Sequence, residues 1–144
     1  MNKALWVLVA ALAAGLLAVG CNGDDEDSEE ALTKEEWITQ ADQICEQDNQ
    51  ELEQAGANIQ SQEDAEQFVS DTLVPKLNEE IDELRSLSAP EGDEDQINAI
   101  LDAAQNGADE IEANPTAISN EATNPFAEAN RLANEYGLKV CGQG

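Results

Sequence analysis

The sequence predicts an all-α domain: a small up-down bundle of about four helices with one disulfide, preceded by a signal peptide and a disordered acidic tether. Three observations predict it. Apolar residues beyond Leu32 recur at helical steps of three, four and seven, and no run alternates as a strand would. Pro, Gly and Asn fall between those runs, so loops are short and neighbouring helices antiparallel. Two cysteines, Cys45 and Cys141, lie behind what reads as an export signal.

Residues 1–20 follow the signal-peptide plan. Lys3 supplies the positive region, Ala4 to Val19 the apolar core, and small residues the cleavage site. The competing reading is an uncleaved membrane helix. A spanning helix needs about 20 apolar residues. This run is shorter, and an acidic stretch follows it in place of a basic flank.

The stretch Leu17-Ala18-Val19-Gly20-Cys21 resembles the lipobox of bacterial lipoproteins, a leucine and small residues directly before an obligate cysteine. It departs slightly: the leucine stands one position further from the cysteine than is usual, and Ala18 takes its place. The resemblance implies that the Cys21 thiol carries a diacylglyceryl group. It also implies that the Gly20–Cys21 bond is cleaved, leaving Cys21 as the new N-terminus. One acyl chain anchors marginally and two anchor stably. The implied location is the cell membrane, lipid-anchored, on its extracytoplasmic face.

Residues 21–31 form the lipidated cysteine and its linker. Asn22 to Glu30 is polar and acidic without periodicity, and reads as a disordered spacer. Asp25, Asp27 and Glu29 alternate as calcium-loop carboxylates do, but the turn glycine and distal glutamate are missing.

The helical domain is assigned to residues 32–144. The first helix opens at Thr33 with Glu36 in capping-box position. Its stripe is Trp37, Ala41, Ile44, Cys45, Leu52, Ala55 and Ile59, interrupted by an unexplained Asp48. The second opens at Ser61, with Asp64 behind it, and carries Ala65, Phe68, Val69, Thr72, Leu73, Leu77, Ile81, Leu84 and Leu87. Pro75 falls inside it, so it is one kinked helix or two short ones, and a kink offers a way to open a ligand cleft. Ala89-Pro90-Glu91-Gly92 ends it.

The third helix spans about Asp93 to Ala113, with Ile97, Ile100, Leu101, Ala104, Ala108 and Ile111 on one side, and Asn114-Pro115 stops it. A looser stretch runs from Thr116 to Thr123. The fourth helix is expected to start at an Asn124 cap with Pro125 at the first helical position. It carries Phe126, Ala129 or Asn130, Leu132, Ala133 and Tyr136, and ends at Gly137 with Leu138 packed beneath.

Outside the cytoplasm an even pair of cysteines suggests a disulfide. Closing a loop of about 100 residues is worth roughly 4.7 kcal/mol in the chain-entropy picture. Zinc wants four ligands, but only two thiols remain after Cys21, with no histidine and no C-x-x-C.

The segments Ala41-Asp42-Gln43-Ile44-Cys45 and Tyr136-Gly137-Leu138-Lys139-Val140-Cys141-Gly142, with Leu84 to Pro90 between them, are similar to those of small extracytoplasmic helical lipoproteins of actinobacterial type. That resemblance implies the all-helical fold and the Cys45–Cys141 pairing, and no activity.

The chain has 32 acidic residues, 6 basic ones and no histidine, a net charge of -26. That charge repels nucleic acid and anionic lipid, so membrane contact is expected through the anchor only. Two readings of the acidity stay open: a well-solvated surface, or adaptation to high salt, where screening removes self-repulsion.

Catalysis is not expected. Nucleophile–base pairs usually enlist histidine, and there is no nucleophile elbow or phosphate-cradling glycine loop. With so many acids some carboxylate pair lies close by chance, so a glycosidase pair carries no weight. No cofactor is expected. The first functional reading is a non-catalytic envelope module contacting a protein or the cell wall. The alternative is a small-ligand or weak divalent-cation binder, with Glu79, Glu80 and Glu83 part of a carboxylate cluster, or a plain solvated face. An apolar cavity favours the ligand binder, and an exposed apolar patch the contact module.

Overall fold

The computed structural model describes residues 31–119 and 124–143. The signal peptide, the Gly20–Cys21 bond, Cys21 itself, the linker to Glu30 and residues 120–123 lie outside the described residues. The described residues form an all-helical bundle. None of their helices is long and apolar enough to cross a membrane.

Helix α1 spans Lys34–Gly56. Thr33 caps it: its Oγ1 accepts the Glu36 N–H at 3.3 Å, and Glu36 Oε2 accepts the Thr33 N–H at 3.0 Å. Trp37, Ala41 and Cys45 are buried on its inner face. Ala55 is exposed and Ile59 is 38% exposed, contrary to the apolar stripe. Both lie near or beyond the end of α1.

Helices α2, Gln62–Phe68, and α3, Val74–Ser86, join through one π-helical turn, Val69–Leu73. The rod is therefore continuous, with its irregularity placed just ahead of Pro75. Proline has no N–H and crowds the preceding turn. The wider turn absorbs that conflict, with the Val74 N–H donating to the Val69 carbonyl five residues back. The extra residue also shifts the register. Val74, absent from the expected stripe, is buried beside Val69 and Leu73.

Helix α4 spans Glu94–Ala113 and buries Ile97, Ile100, Leu101, Ala108 and Ile111 as the spacing predicts. The segment after it is not loose throughout: Pro115–Ser119 is a 3₁₀ helix that buries Ala117. Helix α5 spans Ala127–Tyr136, two residues later than expected. Asn124 is not its cap: that position is Phe126, without a side-chain cap bond, and Asn124 Oδ1 accepts the Phe126 N–H at 2.9 Å. The Asn124 carbonyl takes the Ala127 N–H at 3.1 Å, which closes a turn and not a helix. Proline fits the second position of such a turn as readily as a first helical turn. Gly137 ends α5 at φ 121°, and the Ala133 carbonyl receives both the Gly137 and Leu138 N–H groups at 3.0 Å.

Packing runs in chain order: α1 on α3, α3 on α4, and α4 on α5. The ring is closed by the tail after Gly137, which the Cys45–Cys141 disulfide fastens to α1. One core cluster gathers Trp37, Ala41, Leu84, Ile97, Leu101, Tyr136 and Leu138. A second, at the other end, gathers Val69, Leu73, Val74, Ile111 and Ala117. Gly107 lets Phe126 join the second cluster, because a Cβ there would stand 2.6 Å from the phenyl ring.

Candidate functional site

The space between the helices is not filled. A cavity of about 480 Å³ lies inside the bundle, within the range of small-molecule sites. Every long element contributes to it: Trp37 and Leu52 from α1, Leu77, Ile81 and Leu84 from α3, Ile100, Leu101 and Ala104 from α4, and Ala129 and Ala133 from α5. The tail adds Leu138, Val140 and Cys141, and the Ile118 and Pro125–Phe126 stretches form a further wall. The physical reason is the sequence's choice of residues. Alanine holds the facing positions 104, 129 and 133, and closure of the ring falls to the tail, where a further helix would bring more side chains.

The polar groups on this wall are few: Glu80, Asn49, Asn124 and Asn130. Among the described residues Glu80 is its single ionisable side chain. It is half-buried, and its Oε1 stands 3.2 Å from Cys45 Sγ, a disulfide sulfur with no proton to give. Burial pushes its carboxyl up to about 7; the Asp48 charge adds to this, Lys76 opposes it, and Glu83 adds a little more. The Trp37 indole N–H is also buried without a hydrogen-bond partner among the described residues.

Lys76 does not serve Glu80, because three other carboxylates hold it. Its Nζ lies 3.0 Å from Asp48, 3.0 Å from Glu51 and 3.4 Å from Glu79. These bonds raise the Lys76 ammonium above its ordinary range, Asp48 first. They also explain Asp48, 3% exposed on the apolar face of α1. It reaches across to α3 for its counter-charge.

Two further contacts fix the ring. Asp42 accepts the backbone N–H groups of Lys139, Val140 and Cys141, at 2.9, 2.8 and 3.2 Å. Tyr136 donates its hydroxyl to Asp93 at 2.8 Å and meets Trp37 of α1 edge-on, ring centroids 5.6 Å apart. Burial and Asp93 push the phenol above its usual range, so it stays protonated.

The cysteines expected to pair, Cys45 and Cys141, are joined. Of the three glutamates considered for a cation, only Glu80 reaches the cavity: Glu79 binds Lys76, and Glu83 lines a separate small polar recess. Among the described residues no group of three or more acidic, cysteine or histidine side chains is disposed to hold a metal ion. The spacing carried a signal for Glu80, which falls between Leu77 and Leu84 on the apolar stripe. The roles of Asp42 and Lys76 had none, since both depend on partners far along the chain.

No protein-family model matches this chain, and no curated protein or solved structure matches it.

Proposed function

We propose that this protein is a lipoprotein, tethered through Cys21 on the extracytoplasmic face of the membrane, whose helical domain binds a small, largely apolar ligand. The cavity carries this reading. It combines about 480 Å³ of space with mostly apolar walls and a few convergent polar groups, the usual make-up of a ligand site. An envelope contact module calls instead for a broad exposed apolar patch. Among the described residues the large apolar side chains left exposed are Ile59 and Ile118, and Ile118 belongs to the cavity wall. A divalent-cation role loses ground to Lys76, which already sits among Asp48, Glu51 and Glu79.

The anchor rests on the lipobox resemblance. A diacylated Cys21 holds the domain close to the bilayer, where apolar molecules concentrate. The acidic surface keeps the domain itself from lying on anionic lipid.

Nile red, an uncharged apolar dye, tests the cavity. The full chain should bind it with saturable fluorescence. Ala104→Phe, which fills the cavity from α4, should abolish that signal while the fold persists by circular dichroism. Equal dye binding by both proteins would remove the cavity from the account. For the anchor, Cys21→Ser should stay uncleaved and unlabelled by lipid precursors; normal labelling would refute it.

A further inference from the structure

We infer that the ligand is an apolar amine, a hydrophobic body bearing one protonated amino group, with its ammonium seated on Glu80. The inference rests on the ligand-binding reading above and adds the charge of what is bound.

Among the described residues the cavity wall has one ionisable side chain and no basic one. An anionic amphiphile, such as a fatty-acid carboxylate, would find no cation inside and would first have to approach a chain of net charge -26. A cation is drawn in by the same field. Among the described residues Glu80 also lacks a donor. Its near neighbour is the disulfide sulfur of Cys45, and the one nearby ammonium, Lys76, is held by Asp48, Glu51 and Glu79. A half-buried carboxyl without a donor is costly to ionise. An entering ammonium supplies both the missing hydrogen bond and the missing charge. The apolar walls from Leu77, Ile81, Leu101 and Ala104 accept the rest of the molecule.

The charged groups around Glu80 are few. From α1 it feels Asp48; from α3, Lys76 and Glu83. The residues that α4 and α5 present to the cavity are uncharged. Without ligand, burial holds the Glu80 proton up to about 7, so amine binding is expected to strengthen as pH rises through that value.

The test compares decylamine, decanol and decanoate as displacers of Nile red from the full chain, at salt high enough to suppress surface attraction. The expected order is amine, then alcohol, then carboxylate, with the amine ahead of the alcohol by about tenfold. In Glu80→Gln the amine should fall to the level of the alcohol, and alcohol binding should be retained. Glu83→Gln, which removes a carboxylate outside the cavity, should preserve the amine's advantage. Equal amine and alcohol affinity in the native protein, or an amine advantage surviving Glu80→Gln, would overturn the inference while leaving the cavity as a ligand site. Failure of all three, with no Nile red binding, would overturn the ligand reading and this inference together. If Glu80→Gln does not fold, the native pH series decides: amine affinity flat between about pH 5.5 and 8.5 would overturn the assignment.

Discussion

Asp42 in the first helix accepts the Val140 N–H at 2.8 Å, binding the two ends of the domain across nearly its whole sequence. The same carboxylate takes the neighbouring N–H groups of Lys139 and Cys141. Three successive donors converge on one anion, and the Cys45–Cys141 bond lies one turn further along α1. The tail that completes the cavity wall is thus held twice.

Removing Asp42 leaves those three N–H groups without their acceptor. Bonds to a charged partner are worth about 1.5–3 kcal/mol, and losing the acceptor adds desolvation cost. Asp42→Ala should destabilise the domain by about 2–3 kcal/mol in urea unfolding. Asp42→Asn, which keeps one acceptor oxygen, should lose less. Equal losses for the two would deny the role of the anion.

The disulfide makes a separate prediction. Its partners are 96 residues apart, so it restrains most of the unfolded chain. Cys45→Ala and Cys141→Ala should each cost about 2–5 kcal/mol. The double variant should cost little more than either, because the bond is lost only once. Additive losses in thermal melts would contradict a shared bond.

Asp48 and Lys76 make an asymmetric pair. Lys76→Met leaves the buried Asp48 carboxylate without its counter-charge, whereas Asp48→Asn with Lys76→Met removes the charge on both sides. The single variant should therefore melt lower than the double. A double variant less stable than the single would mean that the pair contributes only packing.

Much of this fold was legible in the sequence because local chemistry decides it. The Thr33 and Ser61 caps, the Gly137 terminus and the stripe on α4 each depend on residues within a turn or two. What escaped depends on distance or on competing local signals. Pro75 announced an irregularity but not its form, and the π turn that absorbs it moved Val74 into the core. Asn124-Pro125 carries the chemistry of a turn as well as of a helix start, and the turn prevailed. Asp48 reads locally as a stray acid on an apolar stripe, and nothing local to Asp42 signals its role; their partners, Val140 for Asp42 and Lys76 for Asp48, are set by tertiary packing. Pro75 pointed to a way of opening a cleft, but the space itself comes from alanine at the facing positions 104, 129 and 133.

Glu80 links the site to pH. Its folded carboxyl, raised to about 7, lies above the unfolded value near 4.3. The unfolded chain therefore ionises first. The stabilising contribution is full below about pH 4 and is lost as pH rises to about 7. After allowance for partial solvent contact, that loss is on the order of 1–2 kcal/mol. Urea unfolding at about pH 5.5 and pH 8 should show higher stability at the lower pH, and Glu80→Gln should flatten that difference. A slope unchanged in Glu80→Gln would assign the effect to other groups.

The most direct test of the central claim is native mass spectrometry of the full chain released gently from its own membrane. The account predicts a native mass exceeding the denatured mass by one discrete small-molecule increment. That increment should be absent when Ala104→Phe is prepared in the same way. Equal native and denatured masses for the unaltered protein would contradict a ligand-filled cavity.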